Sequence, residues 1–291
     1  MAHHQVGDLP EELLQGRQLK RRVRSVRELL LGDDAESKET RALRARVARA
    51  SAPFAQTGLQ TYRELVATAA VLPSGLPALD LLLPDGGLAS GQLIEVCGYP
   101  AAGKSRLCHT VACNVALNLE KRVLYIQTKG DFSANTVLKI MRGRFQLESS
   151  SSKVETAMKR ISVATVRSLE CLVVQLPGLV AETRPRLVVL DSVASLAHPH
   201  LGGGQMRTLA KLQTAAALLK RLAAEQQVAF LVVNHLQQPT AEEKEPKAAL
   251  GAAWHSVPHT RLLLSKGHPH GTATLLKDPT CSKKKTITIE F

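Results

Sequence analysis

"QLIEVCGYPAAGKS", residues 92 to 105, decides the fold. Leu93, Ile94, Val96 and Cys97 form an apolar run of strand length, and Gly98 ends it. Gly98 to Ser105 then fits the pattern G-x-x-x-x-G-K-[S/T]. Beyond it, Leu107, Val111, Val115 and Leu119 recur at helical spacing, so a helix is predicted over 104–119. A strand that turns through a glycine-bounded loop into a helix gathers backbone N–H groups and a helix N-terminus around one anion. Gly98 and Gly103 allow the tight path, while Tyr99, Pro100, Ala101 and Ala102 contribute main chain. Lys104 brings a point charge to the β- and γ-phosphates of ATP, and Ser105 brings a hydroxyl ligand to Mg²⁺.

The same alternation continues outward. "RVLYIQ", "RISVATV", "RLVVLDS" and "VAFLVVNH" read as strands. "NTVLKIMRGRF", "SLECLVVQLPGLVAE" (despite Pro177) and "MRTLAKLQTAAALLKRLAAEQQ" read as helices. Strands alternating with helices predict an α/β fold, a mainly parallel sheet with helices on both faces. "HTRLLLSK", "GTATLLKD" and "KTITIEF" follow without helices between them and are expected to form an antiparallel extension at the sheet edge. "SSSSK", 149 to 153, reads as a polar surface loop.

Residues 71–291 thus form the core. Residues 51–70 read as a linker, because "SAPFAQTGLQT" holds Pro, Gly and small polar residues. Phe54 is its one large apolar residue and a candidate interface anchor on a docking strand. Residues 1–50 read as a small basic helical region, dense in Arg and Lys between Arg17 and Arg49. There is no internal repeat at a fixed period.

Composition narrows the class. Hydrophobic residues are 44% of the 291 and aromatics only 3%, so the core is built from Leu, Val, Ile and Ala. No apolar run approaches the roughly 18 residues of a membrane span, and no membrane partner is expected. "MAHHQVGDLPEELL" lacks the apolar centre of a signal peptide, so the reading is intracellular. The five cysteines form no CxxC pair and are expected to be reduced thiols. His255, His259, His268 and His270 have no Cys or carboxylate at zinc spacing. The net charge of +13 suits a polyanionic partner such as nucleic acid.

In "RLVVLDS" an apolar strand ends in Asp191, placed to hold Mg²⁺ through water beside the loop. Hydrolysis also needs a group to orient or deprotonate water. Ser192, not Glu, follows Asp191. The intervening strand, "RVLYIQTKGDF", presents Gln127 and Lys129 at its tip, and Asp131 falls on another side-chain phase.

These residues carry a resemblance. "LPSGLPALDLLLPDGGLASGQLIEVCGYPAAGKS", "VLYIQTKG", "LVVLDSVASL", "FLVVNHL" and "LGAAWHSVPHTRLLLSKG" follow one another as the corresponding runs do in RecA-type recombinases. The chain resembles the eukaryotic recombinase paralogues, and most the D-type, over roughly residues 54 to 291. The run through "TRLLLSKG" argues against a general P-loop kinase or transporter subunit.

The resemblance implies a RecA-like ATP-binding core, homologous recombination repair, a nuclear location, and hetero-oligomers with other paralogues. It also implies single-stranded DNA as a partner, directly or through the complex. The family's two DNA loops fall at about 197–207, with Arg207, and 236–250, with Lys244 and Lys247 beside three glutamates. Neither loop has a Phe, Tyr or Trp for base stacking, so the N-terminal arginines are the stronger electrostatic candidates. The family's catalytic Glu position reads Lys129, and its γ-phosphate-sensing Gln reads His235. The expectation is an ATP-binding assembly or mediator subunit with weak or no hydrolysis. The alternative is an active DNA-dependent ATPase that forms filaments on single-stranded DNA and exchanges strands.

Overall fold

The computed structural model describes residues 57–145, 152–197, 205–237, 247–267, 270–279 and 284–290. The helices predicted within 1–50, Phe54 and Lys244 lie outside them. The chain divides into two compact units, 1–64 and 65–291.

Helix α1, Gly58–Thr68, occupies what composition marked as linker. Its start has a local cause. Thr57 Oγ1 accepts from Gln60 N at 3.2 Å, and Gln60 Oε1 accepts from Thr57 N at 2.9 Å. This reciprocal pair satisfies two N–H groups that a helix N-terminus otherwise leaves open.

The second unit holds β1 (Val71–Leu72), α2 (Pro77–Leu82), β2 (Leu88–Ala89), β3 (Leu93–Gly98), α3 (Lys104–Leu117) and β4 (Val123–Gln127). Next come α4 (Ala134–Phe145), α5 (Ser152–Lys159), β5 (Ile161–Thr165), α6 (Leu169–Thr183), β6 (Leu187–Asp191) and α7 (Val193–Ala197). The chain continues with α8 (Gln205–Gln226), β7 (Ala229–Val233), α9 (Gly251–His255), β8 (Thr260–Ser265), β9 (Gly271–Lys277) and β10 (Lys285–Ile289). Ser152 and Lys153 therefore begin a helix, not the surface loop expected of "SSSSK". Glu155 pairs with Lys159 one turn on, and Val154 and Ala157 are buried.

The main sheet has the order β10-β9-β8-β3-β7-β6-β4-β5. β8 pairs parallel with β3, Ile94 opposite Thr260, so the antiparallel extension starts at β9, one strand later than expected. Thr260, Leu262 and Leu264 are buried, the mark of a strand inside the parallel sheet.

Alternating side chains feed two cores. Val123, Tyr125, Leu187, Val189, Leu231 and Val233 face α3, α4 and α5. Leu124, Ile126, Val188, Leu190, Phe230 and Val232 face α6, α7 and α8. Leu107, Val111 and Val115 make the buried stripe of α3. α6 contains Pro177 and still runs from a Ser168 cap, whose Oγ accepts from Cys171 N at 3.1 Å, to Thr183. Cys97, Cys108 and Cys113 are buried free thiols, and Cys171 is exposed.

Candidate nucleotide site

β3, β7, β6 and β4 are neighbours and parallel, so their C-terminal ends open on one edge of the sheet. That edge receives the Gly98–Ser105 loop, Asn234–His235, Asp191–Ser192 and Thr128–Lys129. Register fixes the alignment, with Gln127 opposite Asp191 and Val96 opposite Val233.

The loop is shaped by two glycines. A Cβ on Gly98 would lie 2.6 Å from Leu264 O, inside the backbone of β8. Gly103 has φ +91°, a left-handed conformation costly for other residues, and α3 begins at the next residue. Lys104 is buried, and its Nζ donates to Gly98 O and Tyr99 O, each at 2.7 Å. Burial pulls the Lys104 pKa below the ordinary lysine value; the nearby Asp191 opposes that shift and Lys129 adds to it. Ser105 is half-buried, while Tyr99, Pro100 and Ala101 are exposed at the rim.

Asp191 is buried, and its carboxylate accepts from Tyr125 Oη at 3.0 Å. Burial raises the Tyr125 pKa, so the phenol stays a donor. Thr128 ties β4 to β6: its N and Oγ1 donate to Asp191 O at 2.9 and 3.0 Å, and its Oγ1 accepts from Ser192 N at 2.8 Å. Gln127 turns to its neighbours instead. Its Nε2 donates to Thr165 Oγ1 and its Oε1 accepts from Phe132 N, both at 2.9 Å. Lys129 is exposed, with Nζ 3.5 Å from His235 Nε2. The same Nε2 lies 3.3 Å from Ser192 Oγ, itself 2.7 Å from Ser195 Oγ.

Sequence reasoning missed Tyr125, Thr128 and His109. In the sequence Tyr125 is one residue of an apolar strand, and only the β4/β6 register brings its hydroxyl to Asp191. His109 lines a cavity of about 630 Å³ with Ser105, Arg106, Thr110, Thr136 and Lys139. Its ring stacks on Tyr125 at 5.1 Å and meets Phe132 edge-on at 5.4 Å. Its Nε2 is buried without a hydrogen-bond partner, and burial pulls its pKa below the ordinary histidine value.

The strand behind the loop is locked by a buried polar network. Glu95 accepts from Asn234 Nδ2 at 2.6 Å, from Trp254 Nε1 at 3.0 Å, and from Arg261 Nε. Glu95 lies inside β3 and serves the fold. The second DNA-loop candidate is closed at its base by the Leu236↔Ala248 bridge and by Gln237 N to Lys247 O at 2.9 Å. Lys247 is exposed at that base. Arg207 falls in α8 rather than in the preceding loop, because the helix starts at Gln205.

A mainly parallel sheet with a phosphate loop after β3, an Asp at the end of β6 and antiparallel strands beyond β8 defines a RecA-like P-loop protein. The chain belongs to the Rad51 family, whose family model, described as "Rad51", matches residues 67–289. It is similar to "DNA repair protein RAD51 homolog 4" of Mus musculus, 35% identical over 242 residues, 79% of this chain and 71% of the relative. The Bos taurus protein of the same description is 34% identical, covering 75% of this chain and 68% of the relative. "DNA repair protein RAD51 homolog 2" of Mus musculus is 29% identical over 75% of this chain and 73% of its own length. The resemblance to recombinase paralogues, the D-type among them, agrees with these relatives.

Proposed function

We propose that this chain is an ATP-binding subunit of a recombinase-paralogue complex in homologous recombination repair, and that it holds nucleotide more than it turns it over. One observation carries the reading: the phosphate cradle is intact, while the strand tip beside it carries Lys129 where a water-activating carboxylate would stand. The cradle fits the triphosphate. Gly98 lets the loop leave β3 close against β8, Gly103 supplies a left-handed turn into α3, Lys104 is a buried ammonium, and Asp191 is a buried carboxylate close enough to act on that ammonium.

The loop N–H groups and Lys104 would hold the phosphates, and Ser105 and Asp191 would hold Mg²⁺, directly and through water. Bound Mg²⁺ would neutralise phosphate charge. The cavity bordered by Arg106, His109 and Thr136 would take the nucleoside end. Tyr125 would orient the Asp191 carboxylate through its hydroxyl. Neither Ser192 nor Gln127 replaces the missing base: one is bonded to Ser195, the other to Thr165 and Phe132. Losing such a base lowers a rate by about 10²- to 10⁴-fold. A neighbouring paralogue would bring further catalytic groups in trans, as arginine fingers do.

The relatives are DNA repair proteins by description, and that role, a nuclear location and single-stranded DNA as a partner are extended to this chain as part of the proposal. DNA contact through Arg207, Lys244 and Lys247, directly or through the complex, and docking through Phe54 belong to it too. The test is titration of the purified chain with a non-hydrolysable ATP analogue and Mg²⁺. Wild type binds, Lys104→Ala does not, and turnover by the isolated wild type is negligible. Robust hydrolysis by the isolated chain overturns the reading in favour of an active DNA-dependent ATPase. Lys129→Glu separates the two again: hydrolysis rises under the present reading and is unchanged under the rival.

A further inference from the structure

Lys129 stands in a particular electrostatic setting. Its Nζ lies 3.5 Å from His235 Nε2, at the outer limit of a hydrogen bond. An ammonium has only N–H donors, so Nε2 is the acceptor in this contact. His235 is half-buried and is held from behind: its N donates to Asn234 Oδ1 at 2.8 Å and its O accepts from Ala249 N at 2.8 Å. The imidazole lies beside the Lys129 ammonium at the strand ends. The charge of Lys129 is felt at Lys104. The phosphate edge thus holds Lys104 and Lys129 as cations against the single buried carboxylate of Asp191, with Asp131 exposed beyond the turn.

We infer that Lys129, beside His235, is a specificity residue that makes the site select nucleoside triphosphates over diphosphates. The inference rests on the nucleotide-binding reading above and adds to it. Lys104 bonds the carbonyls of Gly98 and Tyr99 within the loop. Lys129 stands just beyond the tip of β4, whose neighbour β6 ends in Asp191, so a terminal phosphate held by the loop would approach it more closely than a diphosphate would. A carboxylate at that position would repel the terminal phosphate unless water or metal stood between; the ammonium attracts it. Opposite charges at a partly exposed site interact strongly enough for about a tenfold effect on binding. Discrimination here would come from charge rather than from hydrolysis.

The experiment is calorimetric titration of the full chain with a non-hydrolysable ATP analogue and, separately, with ADP, both with Mg²⁺. Wild type, Lys129→Ala and Lys129→Arg are compared. The triphosphate-to-diphosphate affinity ratio is expected to fall about tenfold in Lys129→Ala, with ADP binding nearly unchanged, and to survive in Lys129→Arg. Lys129 is exposed, so the alanine variant is expected to fold as wild type does. A fall of about threefold or more supports the inference, and a smaller change, or equal loss for both nucleotides, overturns it alone. A wild-type chain that binds neither nucleotide overturns the nucleotide-binding reading itself, and this inference with it.

Discussion

Glu95 is fully buried and makes bonds to three side chains that arrive from β7, α9 and β8. Arg261, its charged partner, is also buried and reaches on to His255 O and Nδ1, each at 3.3 Å. Removing one member of such a pair strands the other in a place where water cannot reach it. Glu95→Leu is therefore expected to destabilise the fold by about 3–5 kcal/mol, read from urea unfolding midpoints. The double change Glu95→Leu with Arg261→Met should cost clearly less, because no charge is left unpaired. At this scale the sequence was legible in placement: Lys104 opens the helix after the loop, Asp191 ends its strand, and Lys129 lies just past the end of the intervening one. It was silent on Tyr125, Thr128 and His109. Tyr125 and Thr128 meet Asp191 across 66 and 63 residues through the β4/β6 register, and His109 meets Tyr125 and Phe132 through the packing of α3 on β4, meetings that no local pattern encodes.

The pairing of β3 with β8 controls how the phosphate loop leaves the sheet. Gly98 sits opposite Leu264 with no space for a methyl group. Gly98→Ala is expected to push the two strand ends apart and displace the loop, lowering nucleotide affinity about tenfold or more while far-ultraviolet circular dichroism stays near wild type. β8 also shows where reading by elements stops. It has no helix between it and β9, so it was grouped with the antiparallel strands; its partner is decided by the order of the whole sheet. α1 was lost in a different way. Thr57 and Gln60 are a capping pair in plain view, but the small polar residues around them favoured a linker. The helices with a clear buried stripe, α3, α6 and α8, were legible because periodicity alone defines them.

The whole molecule should lose stability as acid is added. His109 and His259 both have pKa values below the ordinary histidine value, chiefly through burial, with Lys220 and Lys277 adding to the effect at His259. The folded state thus resists protonation, and between the lowered pKa and about 6.5 the unfolded chain binds more protons. Stability is present above about pH 6.5 and declines below it, which urea midpoints at pH 7.5 and 5.5 would show. Leu93 N donates to His259 Nδ1 at 2.9 Å, so that nitrogen must stay unprotonated. His259→Asn, which keeps an acceptor there and cannot titrate, should flatten the slope. The proposed function adds a test at this scale: capture of other paralogues by the full chain is expected to strengthen when a non-hydrolysable triphosphate is present, and to lose that dependence in Lys104→Ala.

Trp254 has a last consequence. It is the only tryptophan in the chain, it is wholly buried, and its indole N–H is bonded to Glu95, three residues before Gly98 on the strand that carries the phosphate loop. All tryptophan fluorescence from this chain therefore originates at one interior point, joined through β3 to the candidate nucleotide site. Its colour is a built-in optical gauge: blue while the Glu95 junction is dry and closed, red once water enters.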